Sequence, residues 1–117
     1  MIKEWENEKD FYEFTLNGIK CEIKRIEHLG HLCGYLYLPD GHEFIKLFYD
    51  DIPICVHGDL SFKEENKIGF DCAHGGDLIP KYGNDWSGTE YRNVEFVKNE
   101  LRKMVEQVLN YKENRND

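Results

Sequence analysis

The stretch FYEFTLNGIKCEIKRIE, Phe11 to Glu27, decides the fold class. Two alternating runs flank Asn17-Gly18, and Asn-Gly is the strongest short hairpin signal, because a type I′ turn needs two positive φ values. Phe14 and Leu16 precede the turn, and Ile19, Cys21, Ile23 and the aliphatic part of Arg25 follow on one face. Glu13, Thr15, Lys20, Glu22 and Lys24 form the opposite, wetter face. One face turned to a core and one to water points to an antiparallel sheet.

Outward from this hairpin the pattern continues. In HLCGYLYLPDGHEF, residues Leu32 to Leu38 read as a strand, with Leu32, Gly34, Leu36 and Leu38 on one side and Cys33, Tyr35 and Tyr37 on the other. Pro39-Asp40-Gly41 ends it. EFIKLFYDD, closed by Asp50, Asp51 and Pro53, fits either a short helix or a strand. A second hairpin, ICVHGDLSF–KEENK–IGFDCAH, turns at Glu64-Glu65-Asn66. The loop GGDLIPKYGNDWSGTE is long for a small domain, and long ordered loops are often functional. The chain then shows its best helix. Asn93 suits the N-cap, Glu95 suits the dipole of the first turn, and Val94, Val97, Leu101, Met104, Val105 and Val108 recur at helical spacing. The expected fold is α+β: an antiparallel sheet of about five or six strands with one long C-terminal amphipathic helix packed on it. Residues 1–117 read as a single domain, frayed after about residue 111.

Composition excludes several roles. The chain has 117 residues and a formal net charge of -8, which disfavours binding to nucleic-acid polymers or anionic membranes. There is no apolar run long enough to span a bilayer, and MIKEWENEKD is no signal peptide, so the expected location is the cytoplasm. There the four cysteines should be reduced, and no C-x-x-C pair marks a zinc ribbon. Most of them are expected to be small buried hydrophobes.

Chemistry concentrates in the second hairpin. With a three-residue turn, Lys63 faces Lys67, Leu60 faces Phe70, Asp59 faces Asp71 and His57 faces Ala73. Ile54, Val56, Leu60, Phe62, Ile68, Phe70 and Cys72 then make a core face, and His57, Asp59, Ser61 and Asp71 a polar one. Two opposed carboxylates need a cation, a metal or a shared proton. Gly58 and Gly69 mark a bulge or the close approach of another group. Three readings follow. His57, Asp59, Asp71, His74 and Asp77 could hold a divalent metal for hydrolysis, although this register sends His57 and His74 to opposite faces unless the strand ends before His74. The same groups, beside Tyr35, Tyr37, Tyr82 and Trp86, could bind a nucleotide or sugar without chemistry. They could also be structural, with Asp77 bracing the Gly75-Gly76 turn and Asp71 paired to a base. Arg92, at the start of the last helix, could reach an anionic ligand. No G-x-S-x-G or phosphate loop is present, and Cys72 near His74 suggests a core thiol beside a strand end.

Together, Cys33-Gly34-Tyr35, Gly41-His42, VHGDLSF, GFDCAHGGD and YRNVEFVKNELRKMVEQV resemble a widespread family of small phage- and prophage-encoded proteins, over about residues 30–110. That family usually has glycine at the position of Asp59 and often threonine at that of Ser61. The resemblance therefore favours His57, Asp71, His74 and Asp77 over Asp59. It brings no activity with it, but it implies a setting in which small proteins act against host defences. The expected function is a cytoplasmic, phage-type binding protein that sequesters a nucleotide-like immune signal through His57, Asp71, His74, Asp77, Tyr35, Trp86 and Arg92. It needs no cofactor, and its partners are a small polar ligand and, in one version, a second copy of itself. A metal-dependent hydrolase and an acidic inhibitor of a host protein are the alternatives.

Overall fold

The structure, a computed structural model, describes residues 3–82 and 88–111. Among these residues five strands form one antiparallel sheet: β1 (Phe11–Leu16), β2 (Ile19–Arg25), β3 (Leu32–Tyr37), β4 (Phe62–Glu64) and β5 (Lys67–Asp71). Their order is β1-β2-β3-β5-β4. One α-helix, α1 (Val94–Asn110), packs across β2 and β3 on one face. The α+β architecture read from the sequence is the architecture observed.

The first hairpin forms where Asn17-Gly18 places it, with Leu16 opposite Ile19 and φ values of 50° and 83° in the turn. Ile19, Cys21 and Ile23 face the helix together with Leu32, Leu36, Ile68, Phe70 and Cys72. The helix contributes Val97, Leu101, Met104, Val105 and Val108, the stripe its spacing foretold. Sheet and helix meet most closely at Gly34. A Cβ there would lie 2.7 Å from the Phe70 ring and 2.9 Å from Val97.

The helix start is doubly capped. Asn93 Oδ1 accepts from the Phe96 N–H at 2.8 Å, and Glu8 Oε2 accepts from the Val94 N–H at 2.9 Å. The other Glu8 oxygen takes Arg25 Nη2 at 3.1 Å and the Tyr91 hydroxyl. One carboxylate from the N-terminal segment thus closes on both the sheet and the helix, where the helix dipole favours negative charge.

The second hairpin corrects the expected register by one residue. Its turn holds two residues, so Glu64 faces Lys67, Lys63 faces Ile68 and Phe62 faces Gly69. Asn66 is the cause. Its carbonyl accepts from the Leu38 N–H at 2.7 Å and its Nδ2 donates to the Leu38 carbonyl at 3.2 Å, which commits it to the ladder beside β3. Phe62 consequently leaves the helix side and packs edge-on against Tyr35 over the space that Gly69 leaves. β4 is also short. Gly58 and Asp59 both take left-handed φ, 68° and 67°, which breaks the strand before His57. Asp59 therefore does not oppose Asp71. EFIKLFYDD is neither strand nor α-helix but two 3-10 turns, Glu43–Lys46 and Tyr49–Asp51, with Phe44 buried and His42 Nε2 3.1 Å from the Val108 carbonyl.

Cys21, Cys33 and Cys72 are buried, and Cys55 is exposed. The Gln107 side chain holds the Cys55 backbone at both ends, at 2.8 Å each. Among the described residues no helix is long and apolar enough to cross a membrane.

Gly34→Ala should lower stability by about 1–3 kcal/mol, because its methyl group must displace Phe70 or Val97 in a packed core. Urea unfolding measures this, and an unchanged midpoint would show that the two layers can separate at no cost.

Candidate functional site

The break at Gly58-Asp59 turns His57 away from β4 and toward the exit of β5. There His57 Nε2 lies 3.0 and 2.9 Å from the two oxygens of Asp77. Ionised carboxylates only accept, so Nε2 carries the proton and Nδ1 faces away from the pair. The Asp77 side chain is wholly buried. Its oxygens also accept from Arg92 Nε at 2.8 Å and from the His74 N–H at 3.0 Å. Burial by itself would raise the Asp77 pKa, but the bonds from Arg92, His57 and the His74 backbone outweigh it and hold the carboxyl below its ordinary value. The Arg92 pKa is raised in return, first by its bond to Asp77.

Asp71 builds the neighbouring half. Its Oδ1 accepts from the Ala73 N–H at 3.1 Å and its Oδ2 from the Ser61 hydroxyl at 2.9 Å. His74 Nε2 stands 3.1 Å from Asp71 Oδ1, yet its N–H is not aimed at that oxygen and the buried nitrogen makes no hydrogen bond. The His74 ring occupies the gap at Gly58, where a Cβ would overlap it at 2.2 Å. The His57 and His74 rings meet edge to face at 5.8 Å. The strand ends at Asp71, so the two histidines share one side after all.

Four expected residues, His57, Asp71, His74 and Asp77, therefore converge at one end of the sheet, and Arg92 joins them. Tyr35 is on the face away from the helix, which it shares with Asp71, but its ring lies against Phe62 and under Lys67 Nζ at 4.6 Å. Tyr37 shares that face and donates to Glu22 at 3.0 Å. Tyr82 is exposed in the 3-10 turn Pro80–Tyr82. Trp86 lies outside the described residues.

Two residues of the site escape a reading by motif. His31 is buried at the start of β3, and its Nδ1 makes no hydrogen bond. Burial lowers its pKa, against the pull of Asp71 and Asp77. Its signal was alternation: it precedes Cys33 by two residues, on the strand face that Cys33 shares with Asp71. Glu100 is buried on α1 and accepts from the His57 N–H at 2.9 Å. A carboxylate three residues after Val97, inside the apolar stripe, was its mark.

Nucleophiles are poor here. Burial pushes the Cys33 thiol up to about 11 and the Cys72 thiol higher still, and it raises the Tyr35 phenol. Ser61 is committed to Asp71. Among the described residues no group of three or more His, Cys, Asp or Glu side chains is disposed to hold a metal ion.

Asp77→Asn should cost about 3 kcal/mol at neutral pH, since its amide would face donors in a buried place. The folded pKa of Asp77 is depressed, so its contribution is present above the unfolded value of about 3.9 and lost as pH falls through the folded one. Unfolding curves from pH 7 to pH 2 should show the two proteins converging in acid; a constant gap would mean that the carboxylate charge does not matter. Gly58→Ala should displace the His74 ring, which the imidazole NMR shifts would register. Comparisons with family models, curated proteins and solved structures return no match to this chain.

Proposed function

We propose that the protein is a small binding domain that captures a polar, phosphate-bearing ligand of nucleotide type at the histidine end of its sheet and leaves it chemically intact. The carrying observation is the set of His57, His74 and Arg92 around two carboxylates, each still partly open to solvent at 19%, 34% and 21% of its side chain. Imidazole and guanidinium groups are the usual donors to phosphate oxygens, and a guanidinium offers a planar fork. Arg92 uses Nε on Asp77 and Nη1 on Glu90. Its plane also lies over the Phe96 ring, 4.9 Å from the centroid, which fixes its direction.

Binding rather than turnover fits the buried Cys33 and Cys72 thiols and the Tyr35 phenol, whose raised pKa values make those three groups poor nucleophiles. The metal-dependent alternative would need to recruit Asp77, and its oxygens already serve His57, Arg92 and the His74 backbone. The resemblance to phage-encoded proteins supplies a setting: sequestration of a nucleotide immune signal in a host cytoplasm.

The test is capture and release. Purified protein is incubated with cyclic dinucleotides and ADP-ribose derivatives, freed of unbound ligand, denatured, and the supernatant analysed by mass spectrometry. One ligand should be retained and return intact, and Arg92→Lys should weaken retention about tenfold, the loss of one charge-assisted bond. Retention of none would defeat the proposal, and release of a cleaved product would replace it with hydrolysis.

A further inference from the structure

Far along the chain from Asp77, the residue before the turn Tyr49–Asp51 is the most exposed large hydrophobic side chain among the described residues: Phe48, at 79%. Tyr49 beside it is 45% exposed and forms a wall between two hollows. One hollow, about 290 Å³, has Lys46 and Lys63 at its sides. The other, about 430 Å³, has an apolar floor of Ile52, Ile54 and Leu60 and an acidic rim of Asp50 and Asp59. Among the described residues none of these four charged side chains enters an ion pair, whereas Glu8, Glu22, Asp77 and Glu100 all do.

We propose that this patch joins two copies of the chain in a two-fold dimer. A two-fold contact places a patch against itself, so it must carry both halves of each interaction. This one does. The Phe48 ring of one copy enters the acid-rimmed hollow of the other, above Ile52, Ile54 and Leu60, and the lysines flanking Phe48 then meet the aspartates of that rim. The axis repeats the same contact in reverse. An exposed aromatic knob, a hollow with an apolar floor, and unpaired charges of opposite sign on either side account for one another in this arrangement. A buried aromatic anchor ringed by charge pairs is how tight contacts distribute their energy. The short strand β4 beside the patch offers only three residues to pair, so side chains and not an extended sheet make the joint.

Sedimentation equilibrium of the full chain tests this. The protein should sediment with twice the mass of one chain at micromolar concentrations and dissociate as salt is raised. Phe48→Ser should give a single-chain mass with an unchanged circular dichroism spectrum, because the ring packs on nothing within its own chain that the fold requires. Lys46→Glu should weaken the dimer at least tenfold, and adding Asp50→Lys should restore it, since the exchanged charges meet again across the axis. A wild-type chain that stays single up to millimolar concentration would overturn the proposal, as would a dimer indifferent to Phe48→Ser. Failure of the charge exchange to restore association would overturn it too.

Discussion

A buried carboxylate must find donors, and the Asp77 carboxylate finds them in three separate parts of the chain. His57 comes from the segment before β4, the His74 N–H from the exit of β5, and Arg92 from the approach to α1. The backbone adds a short parallel bridge between Asp77 and Glu90. The side chains at this end of the sheet are held by that one group. The imidazole of His57 owes its orientation to Asp77 on one side and to the Phe96 ring on the other, while Glu100 of the helix holds the His57 backbone N–H. Its ring cannot turn without taking one of three donors from a buried carboxylate, which holds it in place.

The cluster depends in turn on backbone that only part of the amino-acid alphabet accepts. Gly58 has a left-handed φ and sits against the His74 ring, so any side chain there would both strain the backbone and occupy the place of the imidazole. Gly69 acts through space alone: a Cβ there would lie 2.4 Å from the Tyr35 ring on the other face. The two glycines of the second hairpin thus decide which rings lie on which side of the sheet. They separate an aromatic surface centred on Lys67 from a histidine end centred on Asp77.

Local pattern carried most of the architecture. The Asn17-Gly18 turn, the alternation of β2 and β3, and the Asn93 cap with its helical stripe were each readable, because each depends on neighbours within a few residues. The convergence of His57, Asp71, His74 and Asp77 was legible as a cluster, but not its pairing. The expected pairing across β4 and β5 failed on two points that no local pattern reveals. Asn66 is claimed by Leu38, a contact 28 residues away, and Asp59 adopts a left-handed φ that aspartate tolerates but does not announce. His31 and Glu100 went unread for a similar reason: the groups that surround them, Asp71 and Asp77 for His31 and the His57 N–H for Glu100, come from distant segments.

The Glu8 clasp sets an order of events. Its bond to the Val94 N–H joins residues 86 apart in the chain, and the helix it caps covers the middle of a sheet whose strands were made far earlier. Closing so long a loop is costly before other contacts hold its ends together. Until α1 has been synthesised, Ile23, Leu36 and Phe70 have no cover, and the N-terminal segment has only half of its anchor. The N-terminal clasp and the cover of the core therefore both wait on α1, the last element in chain order among the described residues.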